Sequence, residues 1–173
     1  MIRGEKDPQL ATPDGKVVGP TIDGVIVRPA STIVDERGEM FELYNPAWGV
    51  MDAPLVFAYH VLIRPGKVKG WVYHELQDDR MVIVSGVVKV VLYDMREGSP
   101  THGVVQEINV SDRNRALVVI PRRVVHAVQN IGTCDATFVN LPSRPYDHAN
   151  PDKYRIDMNS GQIPYEFDRG LGW

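Results

Sequence analysis

From residue 21 onward the chain is a succession of short apolar, β-branched runs cut by turn residues. Residues 24–28, 40–44, 55–63, 68–74, 80–84, 87–93, 104–110, 116–120, 124–128 and 136–141 each have the length and composition of a strand. Arg64-Pro65-Gly66 closes the third run, and Ser85-Gly86 introduces the sixth and clearest, Val87-Val88-Lys89-Val90-Val91-Leu92-Tyr93. Strands this short and this evenly spaced predict an all-β sandwich or barrel. No stretch sustains an apolar period of 3.6 residues, which leaves room only for short helices near Ala47 and Pro151.

The two ends read differently. Residues 1–20 are polar and carry Pro8, Pro13, Gly15, Gly19 and Pro20, which predicts an extended N-terminal arm: a segment lying on a partner subunit, or a frayed terminus. From Leu141 onward, Pro142, Pro145, Tyr146, Pro151, Tyr154, Pro164, Tyr165, Phe167 and Trp173 predict a packed, irregular tail, because disordered tails carry few aromatics. With 173 residues and 43% hydrophobic positions, the chain can bury one core in one domain spanning 1–173.

A net charge of −3 excludes a whole-domain basic footprint for nucleic acid, while a local Arg/Lys cluster could still hold a small anion. Cys134 stands alone, so no disulfide framework forms; a packing thiol is the expectation, with a nucleophile the alternative. The N-terminal stretch lacks the apolar region of a secretory signal, and no run approaches the roughly 20 residues of a membrane helix. The expected location is the cytoplasm, away from any membrane.

The chemistry concentrates in two places. Side chains alternate faces along a strand, so Val72 and His74 point the same way, into the interior of a barrel. His126, from a separate strand, could meet His74 there, with Asp79 adding a carboxylate. Two histidines and one carboxylate can hold Fe(II) or a similar ion; the competing reading is a pair of hydrogen-bonded interior histidines.

These residues also carry a resemblance. The segment 66–86 resembles the first metal-box motif of the cupin family, G-x5-H-x-H-x4-E-x6-G, with Val72 in the first His position and Asp79 for Glu. The segment 121–130 resembles the second, P-x-G-x2-H-x3-N, with Arg123 for Gly. A wider set of motifs resembles the dTDP-4-dehydrorhamnose 3,5-epimerase family. Asp35-Glu36-Arg37-Gly38-Glu39-Met40 matches D-x-R-G-x-F with Met40 for Phe, and Lys69-Gly70-Trp71 stands at R-G-L. Residues 86–103 match G-x7-D-x-R-x-x-S-P-T-x-G without a gap, and 120–126 match I-P-x-G-x-x-H with Arg123 for Gly.

The resemblance implies a cupin-type jelly roll, usually a homodimer, that acts without a cofactor on a small-molecule sugar nucleotide in sugar or polysaccharide biosynthesis. Enzymes of the family remove a proton beside a sugar keto group and return it on the other face, which needs a His base and, opposite it, a Tyr acid. Aligned here, the base position holds Val72 and the acid position holds Asn140. His74 is then the displaced base, His126 the next candidate, and Asp157 the carboxylate that could orient a base. Arg37, Lys69, Arg80 and Arg96 are expected at a diphosphate. Trp71 and Tyr73 are expected to stack on sugar or base, and Asn140 to touch substrate. His60, His102 and His148 read as structural or surface residues. Two other readings stay open: a divalent-metal cupin, oxygenase or isomerase, using His74, Asp79 and His126, and a non-catalytic sugar-nucleotide-binding protein. With Val72 removing one nitrogen ligand, no bound metal is expected.

Overall fold

A computed structural model of the chain describes residues 4–14 and 17–167. Gly15 of the expected arm and Trp173 of the expected tail lie outside these residues. Twelve strands are present: β1 Ile26–Pro29, β2 Thr32–Asp35, β3 Gly38–Phe41, β4 Tyr59–Ile63, β5 Val68–Tyr73, β6 Asp79–Ser85, β7 Val87–Asp94, β8 Val105–Ser111, β9 Ala116–Ile120, β10 Val124–Asn130, β11 Ala136–Asn140 and β12 Tyr154–Arg155. Every predicted strand has a counterpart. The third begins later than expected, at Tyr59, and leaves Leu55 and Val56 exposed in a loop. The short β2 and β12 are additional to the expected strands. One 3-10 turn, Pro46–Trp48, is capped by the Asn45 side chain; the region of Pro151 forms no helix.

The strands make two five-stranded antiparallel sheets, in the orders β1-β9-β6-β11-β4 and β12-β5-β10-β7-β8, with β2-β3 as a separate hairpin. They face each other over a shared interior of Ile63, Met81, Ile83, Val88, Val90, Leu92, Val118, Val128 and Phe138. This is the jelly-roll arrangement the resemblance implied.

Both sheets are also covered on their outer faces. Residues of the 41–51 segment lie over Val82, Leu117 and Val119. The tail lies over the other sheet, where Ile163, Tyr165 and Phe167 pack with Trp71, Val91, Val125 and Ala127. Two-sided cover explains why β7, β9 and β10 read as near-continuous apolar runs instead of alternating ones. β9 and β10 are buried along their whole length.

Gly70 shows how close the layers come. A Cβ there would meet the Ala127 Cβ at 2.3 Å and the His126 carbonyl at 2.9 Å, so only glycine lets β5 approach β10 at this point. The described part of the arm is exposed and tied to itself by a bridge between Ala11 and Val17. Cys134, expected to pack, is exposed.

Candidate active site

At one end of the barrel the interior turns polar. β6 begins at Asp79 and alternates Asp79, Met81, Ile83 toward the core. β10 alternates Val124, His126, Val128, and β11 alternates Ala136, Phe138, Asn140. His126 is the direct cross-strand partner of Val72, and His74 follows just past the end of β5. The sheets therefore bring His74, Asp79 and His126 together, as the strand alternation predicts. The rings of His74 and His126 are 5.6 Å apart between centroids.

Asp79 is the hub. Its Oδ2 lies 3.3 Å from His74 Nε2 and 3.5 Å from His126 Nε2, and its Oδ1 accepts from Gln77 Nε2 at 3.0 Å. The other nitrogen of each ring faces a main-chain carbonyl, which can only accept. His74 Nδ1–H donates to the Asp152 carbonyl, and His126 Nδ1–H to the Val124 carbonyl at 3.2 Å. Proton traffic is thus confined to the two Nε2 atoms and Asp79.

Burial alone would lower His74, but the hydrogen bond and charge of Asp79, with the Asp152 carbonyl, raise it above 6.5. His126 is more deeply enclosed, and burial keeps it below 6.5 despite Asp79. Burial would raise Asp79, but both histidines and Asn140 hold it below its usual range. The cluster thus pulls its members apart: His74 is made the more basic ring, while His126 and Asp79 are held lower.

A cavity of about 190 Å³ opens beside this cluster, walled by Phe57, Tyr59, His74, Gln77, Pro142, Tyr146, Asp152 and Lys153. Five of these residues, Phe57, Tyr59, Gln77, Asp152 and Lys153, were not singled out from the sequence. Tyr59 accepts a hydrogen bond from Asn140 Nδ2 at 2.9 Å. Asp152 accepts three main-chain N–H groups, from Glu75, Leu76 and Gln77, which fixes the turn between β5 and β6 to the tail. Lys153 is an exposed residue on the cavity wall, and partial desolvation of its amine with the charges of Arg155 and Lys69 lowers its pKa. Gln77 orients Asp79. No local motif marks any of the five, and Tyr59 and Asp152 make their contacts here with distant parts of the chain.

Comparison with known proteins agrees with this architecture. The family profile described as dTDP-4-dehydrorhamnose 3,5-epimerase matches residues 20–169. The chain belongs to this family. It is 32% identical over 138 residues to a probable low-salt glycan biosynthesis epimerase of Haloferax volcanii, covering 79% of this chain and 88% of that one. It is 30% identical over 151 residues to the spore coat polysaccharide biosynthesis protein SpsL of Bacillus subtilis, covering 85% and 97%. Among solved structures, a 3'-monoepimerase variant from Streptomyces bikiniensis in complex with dTDP superposes with a TM-score of 0.76 at 23% identity, over 89% of this chain and 79% of that one. The protein is thus a nucleotide-sugar epimerase-like member of a family with roles in glycan and polysaccharide biosynthesis.

Several family motifs turn out to build the barrel end and not the cavity. Asp94 closes β7 and accepts from Arg96 Nε at 2.8 Å, Ser99 Oγ at 2.6 Å and Thr101 Oγ1 at 2.7 Å, so the D-x-R-x-x-S-P-T block is a turn clamp. Arg96, expected at a diphosphate, is held there by Asp94 and by the Asp23 carbonyl at 2.7 Å. Arg123, in the family's Gly position, has a φ of 61°, the left-handed conformation that glycine adopts without strain.

The other expected ligand contacts are divided between the buried outer faces of the sheets, the interior and the surface. Arg80 is fully buried on the outer face of its sheet, bonded to four main-chain carbonyls. Trp71 is 2% exposed and packs on Phe167 at 5.1 Å, and Tyr73 stacks on Tyr154 at 5.0 Å. Arg37 sits at the exposed tip of the β2–β3 hairpin, paired with Asp35. Asp157 is exposed, caps the Asn159 N–H at 2.7 Å, and borders a different cavity on the outer face of the second sheet. The carboxylate beside the histidines is Asp79. Lys69 is exposed on β5 and acts on Lys153 through its charge. Asn140 lies in the interior beside Tyr59. His60, His102 and His148 are exposed.

Proposed function

We propose that the protein epimerises a nucleotide-linked 4-keto sugar at a carbon beside the keto group, without a cofactor, with His74 as the base. The observation that carries this reading is the wall position of His74, with one nitrogen fixed by the Asp152 carbonyl and Asp79 raising the basicity of the other. The 3.3 Å contact to Asp79 is longer than the roughly 2.7–2.9 Å of a tight charge-assisted bond. Neutral His74 takes the α-proton, and the C–H electron pair passes into the keto group as an enolate. His126, not on the cavity wall, tunes Asp79 instead of meeting the sugar.

Lys153 lines this cavity, and the charges of Lys69 and Arg155 act on it. They are the residues proposed to hold the diphosphate and stabilise the enolate. The dTDP bound by the Streptomyces bikiniensis enzyme supports that ligand class. A cytoplasmic site of action goes with it. A homodimer is proposed from the hairpin β2–β3, which among the described residues pairs with no other strand and exposes Ile33, Val34 and Met40; light scattering at micromolar concentration checks it.

The test of the reaction is deuterium uptake from D2O into dTDP-4-dehydrorhamnose and related keto-sugar nucleotides, followed by mass spectrometry. Wild type should exchange at the carbons beside the keto group, and His74→Ala should not, while both bind dTDP. Binding without exchange for every keto-sugar tried would leave a sugar-nucleotide-binding protein.

One observation favours a second reading. Ligand atoms of His74, Asp79 and His126 lie within 4.8 Å of one another and are all buried, a donor set that fits a divalent ion. Plasma mass spectrometry showing about one metal per chain, lost in His126→Ala, would put that reading first.

A further inference from the structure

We propose that Tyr59 is the proton donor opposite His74, supplying from the neighbouring strand the acid that Asn140 cannot be. This rests on the epimerase reading above. A carboxamide has no proton to give at neutral pH, so a two-sided proton transfer needs another group in the same cavity.

Three observations meet at Tyr59. It is the direct cross-strand partner of Asn140, so the two side chains leave their strands at the same level of the barrel, and its hydroxyl accepts from Asn140 Nδ2 at 2.9 Å. Because the amide donates, the phenol proton is left to point elsewhere. Tyr59 and His74 both line the 190 Å³ cavity. They also reach it from different sheets: Tyr59 begins β4 of the first sheet, and His74 follows β5 of the second. A sugar ring between two facing sheets meets one group on each side, which is the geometry an inversion requires.

The hydroxyl also has the right protonation state. Burial, reinforced by the negative Asp79, pushes Tyr59 up to about 12, so it enters the reaction as a donor. Phe57 packs against its ring at 5.6 Å and Asn140 holds its oxygen, which fixes the phenol in place. The step balances without an oxidant or reductant. After His74 has removed the α-proton, the enolate carbon takes the Tyr59 hydroxyl proton on its other face. The O–H electron pair stays on the phenolate, water reprotonates the phenolate, and His74 returns its proton to water.

The experiment separates exchange from inversion in Tyr59→Phe, using dTDP-4-dehydrorhamnose in D2O with wild type and His74→Ala alongside. Mass spectrometry reads exchange, and proton NMR reads configuration. Tyr59→Phe should bind dTDP as wild type does and keep exchanging deuterium, because His74 can return a solvent proton to the face it came from. Epimer formation should fall about 100-fold or more. Unchanged epimer formation, or loss of exchange together with inversion, would overturn the assignment. Wild type without exchange would instead remove the epimerase reading on which it stands. Should Tyr59→Phe fold poorly, 3-fluorotyrosine at position 59 keeps ring and hydroxyl while making the phenol more acidic. It should change the inversion rate and leave exchange alone, and equal effects on both would count against Tyr59.

Discussion

Replacing Arg80 separates a structural cation from a ligand contact. Its Nε donates to the Leu141 carbonyl at 2.7 Å, Nη1 to Ala53 at 3.1 Å, and Nη2 to Pro54 at 2.9 Å and Pro142 at 3.1 Å. The guanidinium lies 4.6 Å from the centre of the Tyr44 ring, and among the described residues no carboxylate pairs with it. It thus ties the 53–54 loop to the end of β11. Arg80→Met keeps the length of the side chain but leaves four carbonyls without this donor. Those of Ala53 and Pro54 lie in a loop that can reach water, whereas Leu141 is 4% exposed and Pro142 is buried. A buried acceptor left unpaired costs about 1–3 kcal/mol. Two such carbonyls, with the loss of the cation–π contact, give an expected destabilisation of about 3–5 kcal/mol. Urea unfolding followed by tryptophan fluorescence would measure it. Arg80→Lys, which can still reach one or two carbonyls, should fall between, and should bind dTDP as wild type does. A stability loss below about 1 kcal/mol in Arg80→Met, with a large drop in dTDP affinity, would refute this account and return Arg80 to the diphosphate.

Three further outcomes follow from the same geometry. His74 is raised above 6.5, so its neutral, basic form appears only as pH climbs through that higher value. Deuterium exchange should therefore rise with pH there, and NMR titration should find His74 above 6.5, His126 below it, and His74 lowered in Asp79→Asn. Gly70→Ala should cost at least about 1–3 kcal/mol by overpacking, read as a fall in melting temperature, since its Cβ would sit 2.3 Å from that of Ala127. Arg123→Gly should relieve about 1 kcal/mol of left-handed strain and lose an exposed 3.1 Å pair with Glu75 worth less than that, so the melting temperature should hold or rise slightly.

Much of the fold could be read from the chain because strand length, turn residues and alternation are local properties. The same alternation that turns Val72 and His74 inward turns Trp71 and Tyr73 outward, and Asp79 inward puts Arg80 outside. Those corrections were therefore legible in principle. So was the meeting of His74, Asp79 and His126, which follows from motif spacing once the barrel is assumed. The sequence did not reveal what lies across strands. Tyr59 stands beside Asn140 across 81 residues of chain, and the Asp152 carbonyl meets His74 across 78. Strand order and register determine those contacts, and they come from packing two sheets over one interior. Whether an arginine is a ligand contact or a clamp depends likewise on which carbonyls the fold closes around it. Sequence thus determined the barrel and its paired histidines, while tertiary structure decided which residues line the cavity, because only packing brings distant segments to the same wall.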